Sequence, residues 1–245
     1  MLKHAAWFLP FALAAQSPAF RWNGQLAPGQ TVEIRGIHGS IAAEPGTSLE
    51  VTATKRRQKG DPEAVRIVAT PGPNGIVICA LYPDRNGAQR QDCNDQRQIN
   101  SDNNTVVEFQ ARIPAGLHAR LSTVHGDVRA RGLTADAWFN TVHGSIQGEA
   151  GRLRAANTVH GAIDVRTAKV AEEAVRVNSV HGDVRLRVDS AVNADFEAST
   201  LHGRIHSDLP VSANGVDRHS LRGKLGNGGP RLQLATVHGD VNLSR

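Results

Sequence analysis

The chain has 245 residues, enough for one or two domains with a sizeable core. Hydrophobic residues make up 40% of it but aromatic residues only 4%. A core must therefore be filled mainly by Val, Ile, Leu and Ala, which favours thin β layers over a bulky globular centre. The formal net charge of +5 would suit nucleic acid in a cytosolic protein. In an exported chain it points to anionic envelope polymers or to solubility alone, and we expect no nucleic-acid partner.

The first 15 residues have the features of a secretory signal peptide. A basic start at Lys3 and His4 precedes an apolar run that ends in the small-residue sequence Ala-Leu-Ala. The run is too short to cross a bilayer, which needs about 20 residues. We expect export to the periplasm, the cell surface or the medium, with no transmembrane segment once the signal is removed.

Residues 16–116 are predicted to form a β-rich region that caps the N-terminal edge of the repeats that follow. Strand-like stretches alternate there with charged or Pro/Gly-rich turns. The stretches are TVEIRGIHGSI, SLEVTAT, AVRIVAT, GIVICALY and TVVEFQARI.

Two cysteines, Cys79 and Cys93, flank a polar loop that contains Gly and Asn. Because an exported chain meets an oxidising compartment, we expect a disulfide between them. The sequence around them holds no CxxC pair and no histidine, so it does not favour a metal or redox site.

Residues 117–245 carry an internal repeat, [Ser/Thr]-[Val/Leu]-[His/Arg]-Gly-x-[Val/Ile/Leu]. The first of seven copies begins at Thr123. The copies recur every 16 to 21 residues if Arg222 takes the histidine position in one of them. An eighth relative contains His38. Apolar residues alternate rather than following a helical period, and about twenty residues suffice for one coil of a β-solenoid. The predicted fold is all-β: a single-chain β-solenoid with a β-rich N-terminal capping region. The second possibility is an antiparallel β-sandwich.

Strict alternation along residues 123–131 places the valines inward and Thr123, His125, Asp127, Arg129 and Arg131 outward. Stacked coils lie about 4.8 Å apart, so each outward position would form a row along the axis. The rows would be Thr/Ser, His, Asp/Ser and Arg-rich. This assumes that the glycine does not reset the alternation by forming a corner or bulge.

The passage ARIPAGLHARLSTVHGDV and the Gly-x-[Val/Ile] units after it resemble the DUF4097 family of extracytoplasmic bacterial β-strand-repeat proteins, labelled as adhesins. The resemblance extends from about residue 30 to the end of the chain. It implies a β-solenoid on or near the cell envelope and brings no established catalytic residue.

The histidine row is a candidate metal site, because imidazole is a common ligand of zinc, copper and nickel. Against this, like residues on parallel strands present their nitrogens side by side rather than converging on one ion. A row of stacked, locally bonded rings is the competing interpretation, and a proton-responsive row is a third. The candidate residues are His125, His143, His160, His181, His202 and His238.

The Arg-rich row is the candidate binding surface for phosphate or carboxylate polymers. The competing interpretation is a solvated face kept soluble by charge. The candidate residues are Arg129, Arg131, Arg152, Arg154, Arg185 and Arg187.

Together these features predict a non-enzymatic cell-envelope protein, structural or adhesin-like, that presents a repetitive Thr/His/Arg surface. Its expected partners are anionic envelope polysaccharides, lipid head groups or another envelope protein, and no cofactor is expected. One alternative is a metal- or pH-responsive envelope sensor that uses the histidine row. The other is a glycan-active β-helix enzyme, although the sequence shows no paired carboxylates or catalytic motif that would support it.

Overall fold

The computed structural model describes residues 18–88, 91–95, 101–189 and 192–245. The predicted signal peptide, residues 1–15, lies outside the described residues. Regular structure within them is β-strand apart from one 3-10 turn, Pro62–Ala64. A search of the described residues finds no helix with the length and apolarity needed to cross a membrane.

Seven strands form among the described residues before residue 117. They are β1 (Phe20–Gly24), β2 (Thr31–Arg35), β3 (Ile41–Pro45), β4 (Leu49–Arg56), β5 (Arg66–Gly72), β6 (Gly75–Leu81) and β7 (Val106–Ile113). Twelve more strands form in the part of the repeats that the structure describes. They are β8 (His118–Ser122), β9 (Val128–Asn140), β10 (Ile146–Asn157), β11 (Ile163–Val170), β12 (Val175–Asn178), β13 (Val184–Val188), β14 (Ala194–His202), β15 (Ile205–Ser207), β16 (Val211–Val216), β17 (Ser220–Leu225), β18 (Arg231–His238) and β19 (Val241–Ser244).

The strands stack in parallel on two faces, which confirms the β-solenoid. Face A holds β7 and the strands that follow each His-Gly corner, in the spatial order β7, β3, β9, β10, β11, β13, β19 and β15. Face B holds β6 and the strands that precede each corner, in the order β6, β2, β8, β9, β10, β12, β18 and β14. Strands β9 and β10 are long enough to bend and contribute to both faces.

Antiparallel strands cover the first coil. Strand β4 pairs with β1 and β7, and β5 pairs with β6. Strands β2 and β3 join these strands to the repeats, since each also pairs in parallel with a repeat strand, β8 or β9. The expected domain boundary between residues 116 and 117 stays a prediction.

Aliphatic side chains form the core as continuous columns, because the strands lie in register. The innermost column of face A consists of fully buried residues from five successive coils, and each burial contributes roughly 1.5–3 kcal/mol relative to exposure. Its members are Val128, Ile146, Ile163, Val184 and Val241.

The last coils do not stack in chain order. Strand β18 lies between β12 and β14, so the motif of His238 sits between those of His181 and His202. The prediction that Arg222 occupies a histidine position is wrong. Strand β17 runs antiparallel to β14 and places Arg222 opposite Glu197, with an Nε to Oε1 distance of 3.0 Å. The Ser-Leu-Arg-Gly sequence matches the repeated motif, but it lies in the antiparallel hairpin of β16 and β17.

The disulfide between Cys79 and Cys93 is confirmed, with the two Cα atoms 5.8 Å apart. The two residues form a small apolar cluster with Val77 and Leu81 that is separate from the main core. Arg35 donates from Nη1 to the carbonyl oxygen of Cys93 at 3.0 Å, which ties the loop to β2. The disulfide therefore fastens a loop over the capping strands.

Candidate functional site: the histidine column and the arginine faces

The repeated motif forms a corner between two strands, although in two copies the preceding strand continues to the histidine, His202 in β14 and His238 in β18. Strand β8 ends at Ser122, and β9 begins at Val128. The motif glycines make the corner possible: Gly161 has a φ of +149°, and a Cβ there would lie 2.1 Å from the carbonyl oxygen of Gly144. The glycine therefore does reset the alternation, and the prediction of one continuous strand through the motif is wrong.

The Ser/Thr position points inward, which corrects the predicted outward Thr/Ser row. Thr158 is 4% exposed, and its Oγ1 donates to the carbonyl oxygen of Gly144 in the preceding coil at 3.0 Å. The same hydroxyl-to-glycine bond recurs at every corner of the repeats, at 2.9 to 3.0 Å. The donors are Thr123, Thr141, Thr158, Ser179, Thr236 and Thr200. The repetitive surface therefore presents His but not Thr.

Seven imidazoles form one column along the corners. Neighbouring ring centroids lie 4.8 to 5.0 Å apart, and the four inner pairs are within 4° of parallel. In spatial order the members are His38, His125, His143, His160, His181, His238 and His202. All but His38 are exposed. His38, which is distant in sequence, begins the column.

Tyr82 closes the column at its first coil. The Tyr82 ring meets His38 edge-on at a centroid distance of 5.5 Å, and its hydroxyl donates to the carbonyl oxygen of Thr105 at 2.7 Å. Burial lowers the pKa of His38, and the neighbouring His125 lowers it further when charged. Burial also raises the pKa of Tyr82.

Parallel stacking does not create a chelating site. The lone pair of an imidazole nitrogen lies in the ring plane, so face-to-face rings direct their lone pairs side by side rather than toward a shared ion. Among the described residues, no group of three or more His, Cys, Asp or Glu side chains is arranged to hold a metal. The arrangement supports packing of the rings along the corners.

Two further polar columns accompany the histidines. Asn178 donates from Nδ2 to Oδ1 of Asn157, which donates in turn to Asn140, at 3.2 and 3.0 Å. On the other side of the corner, Asp127 accepts the backbone N–H of Ser145 at 2.8 Å. The sequence signal for the asparagine ladder is the recurring Asn before Thr or Ser, which our sequence analysis did not single out.

Four of the six predicted arginines lie on face A. Arg129 and Arg185 share one register position, but Gln147 and Asp164 separate them. Each pairs with an acid on its own strand segment, Arg185 with Asp183 at 2.9 Å. Arg187 reaches Asp164 on the adjacent strand at 2.6 Å. Arg131 lies two residues beyond Arg129 and makes no ion pair within the described residues.

The other two predicted arginines lie apart from this group, around a buried acid. Arg152 and Arg154 both contact Asp136, whose side chain is 8% exposed. The hydrogen bond that Arg152 Nε donates to the Asp136 carboxylate raises the pKa of Arg152. Arg154 also lies 5.6 Å from the ring centroid of Trp138 and contacts Glu173. The six arginines therefore do not form one row. Arg152 and Arg154 instead pair with the buried carboxylate of Asp136.

Two arginines of the capping strands, which sequence reasoning missed, join the face A group. Arg21 on β1 and Arg112 on β7 line a groove of about 530 Å³ together with Arg129 and Arg131. No short motif marks them. The only sequence signal is their outward position in alternating strands, and the pairing of those strands cannot be deduced from alternation.

These features define a parallel β-solenoid whose corners carry columns of Asn, of Thr or Ser, and of His side chains. Similar solved structures include candidate adhesion proteins from Clostridium sporogenes and Bacteroides fragilis. The first is 9% identical, covers 93% of this chain and 99% of its own, and has a TM-score of 0.48. The second is 11% identical, covers 92% and 95%, and has a TM-score of 0.37. Comparison with the curated proteins finds no match.

The Toastrack DUF4097 family model matches residues 109–244, which is more than half of the chain. The chain therefore belongs to this family, and the resemblance seen in the sequence is confirmed. The matched region begins in β7 and includes every corner from Thr123 onward.

Proposed function

We propose that the protein is an exported, non-enzymatic component of the cell envelope. In this proposal the solenoid is a rigid, adhesin-like scaffold that presents a repetitive surface to anionic envelope polymers. One observation carries the proposal: the seven imidazoles repeat along the axis with neighbouring centroids 4.8 to 5.0 Å apart. A surface repeated at one spacing can engage a repeating polymer at several points, and such multivalent contacts raise avidity without a deep pocket.

Stacking also supports rigidity. Each corner is fastened to the preceding coil by the Thr or Ser hydroxyl, by a backbone hydrogen bond such as Gly144 N–H to the carbonyl oxygen of His160 at 2.9 Å, and by the stacked ring. A solenoid of this kind is stabilised by contacts between neighbouring coils. A long, stiff surface suits a structural or adhesive task.

The acids on the coils support a non-enzymatic role. Asp127 and Asp183 each accept a backbone N–H of the next coil, at 2.8 and 3.0 Å, and each also pairs with an arginine. Glycosidases of the common types instead converge two carboxyl groups on one bond. These carboxylates fasten strands and are already engaged.

A sedimentation assay tests the proposal. The chain without residues 1–15 is mixed with isolated envelope fragments, and its co-sedimentation is compared with that of an equally basic globular protein at increasing salt. We expect saturable binding that exceeds the control at physiological salt, where exposed charges are screened beyond about 8 Å. Binding no greater than that of the control would overturn the envelope role.

Two parallel measurements test the remaining parts. The polymer recovered from the pellet should keep its chain length, and any shortening would identify an enzyme. Deletion of residues 1–15 should retain the protein in the cytoplasm, and export of that variant would contradict the predicted signal.

A further inference from the structure

The capping strands and the first repeat strand build a groove that the repeated motif does not explain. It holds about 530 Å³, within the range of about 300–1,000 Å³ typical of ligand sites. Its floor follows a straight row across five neighbouring strands of face A and its antiparallel extension. In spatial order the row is Arg21, Thr52, Gln110, Ala42 and Arg129.

The size of the side chains explains the concave shape. Ala42 is the smallest residue in the row and lies between Gln110 and Arg129, so the surface sinks between two long side chains. Arg21 and Arg129 stand at the two ends, four strand spacings apart, which is about 19 Å at about 4.8 Å per strand. A single small anion could not reach both ends, whereas an extended segment could.

A second row of paired residues, Glu50, Arg112 and Glu44, forms one wall of the groove. Glu50 contacts both Arg21, at 2.9 Å, and Arg112, at 3.8 Å, while Glu44 contacts Arg112 at 3.3 Å. The four arginines of the lining outnumber its two glutamates. The groove keeps a net positive charge even after Asp127, which lies outside the lining and pairs with Arg129, is included. Arg131, the fourth arginine, has no carboxylate partner among the described residues.

The two neutral polar side chains on the floor, Thr52 and Gln110, are free of protein partners. Within the part of the chain that the structure describes, the side chains of Thr52 and Gln110 make no hydrogen bond to another protein group. A hydroxyl and a carboxamide can both donate and accept, which matches the hydroxyl groups of a sugar. Guanidinium groups match carboxylates in a bidentate manner.

Resting on the envelope function proposed above, we propose that this groove binds an extended segment of a carboxylate-bearing polysaccharide. The end arginines and Arg131 would bind carboxylates, while Thr52 and Gln110 would bind the hydroxyls between them. Charge alone would accept any polyanion. The neutral donors and acceptors of the floor favour a ligand that alternates carboxylates with hydroxyls, and this feature separates a polyuronate from polyphosphate or a lipid surface.

Calorimetry with oligogalacturonate tests the proposal on the chain without residues 1–15. The R129Q/R131Q variant removes two groove cations, and we expect it to weaken binding roughly tenfold or more. The matched control is R185Q/R187Q, which removes the same charge from the same face outside the groove and should change affinity less than about twofold. The Q110A variant alters no charge and should weaken binding severalfold. All these side chains are exposed, and circular dichroism checks that each variant is folded.

Polyphosphate and vesicles of anionic phospholipid serve as comparison ligands. We expect weaker binding to both, with no effect of Q110A on whatever binding remains. Equal loss in the two double variants, an unaffected Q110A variant, or polyphosphate binding as strong as that of oligogalacturonate would each overturn the groove assignment. If envelope co-sedimentation persists while oligogalacturonate fails to bind, the groove fails and the envelope role stands. If both are lost, both proposals fail.

Discussion

Replacing Thr158 with valine tests the ladder of hydroxyl groups that joins each corner to the coil before it. Valine has nearly the shape of threonine, so the substitution removes the hydroxyl with little change in packing. The Thr158 Oγ1 donates to the carbonyl oxygen of Gly144 at 3.0 Å. Among the described residues, no backbone N–H bonds to that carbonyl oxygen.

The T158V variant therefore leaves a partly buried acceptor unpaired, which costs about 1–3 kcal/mol. For a chain of this size each kcal/mol corresponds to about 2–4 °C in melting temperature. Thermal unfolding followed by circular dichroism measures the shift. The T158S variant keeps the hydroxyl, as Ser179 does in the next coil, so it should retain the hydrogen-bond contribution and lose only the methyl packing.

A control variant isolates the hydrogen bond. Thr134 is exposed, so T134V should change the stability by no more than about 0.5 kcal/mol. If T158V melts at the temperature of T134V, or above the wild type, the hydroxyl ladder does not hold the corners together.

Three further predictions concern the corner glycine, the disulfide and His38. The G161A variant forces a Cβ to within 2.1 Å of the carbonyl oxygen of Gly144, so its free energy of unfolding should fall by on the order of 3 kcal/mol or more. The control is G215A, where the nearest atom to an added Cβ lies 3.9 Å away, and it should melt like the wild type. A G161A variant of unchanged melting temperature would contradict the close stacking of the corners. Reduction of the disulfide, which closes a loop of about 15 residues, should lower the free energy of unfolding by about 3 kcal/mol. Hydrogen exchange should show a loss of amide protection at β5 and β6. An equal loss of protection at β11 would refute the local role of the disulfide. The pKa of His38 is lower in the folded protein than its ordinary value of 6.5. The neutral ring therefore makes its full contribution to stability above about pH 6.5, and this contribution is lost as the pH falls through the lowered pKa of the folded state. The melting temperature should therefore fall between about pH 7.5 and 5.5, less steeply in H38N, and an identical pH profile for H38N would exclude His38 as the cause.

The solenoid could be predicted from the sequence because one motif recurs at the length of a coil. Periodicity requires that equivalent residues stack, so the histidine column and the buried valines followed directly. The orientation of Thr158 could not be predicted in the same way. Alternation assumes an extended backbone, whereas Gly161 turns the chain at a positive φ and reverses which side chains point inward.

The order of the last coils was also beyond the sequence. The Ser-Leu-Arg-Gly copy around Arg222 fits the pattern as well as the true corners do, but β17 pairs antiparallel with β14. The sequence pattern identifies which residues can form a coil. The order in which the coils stack is determined by strand pairing, which the pattern does not contain. The groove above Ala42 was missed for the same reason, since its lining comes from five strands that are far apart in the chain.

Nuclear Overhauser spectroscopy of the imidazole protons tests the stacking of the corners most directly. The ring of His238 lies 4.9 Å from that of His181 and 4.8 Å from that of His202. We predict cross-peaks from His238 to both rings and none between His181 and His202, which are consecutive in the repeat but two coils apart in space. A cross-peak between His181 and His202, or the absence of cross-peaks to His238, would contradict the in-register column.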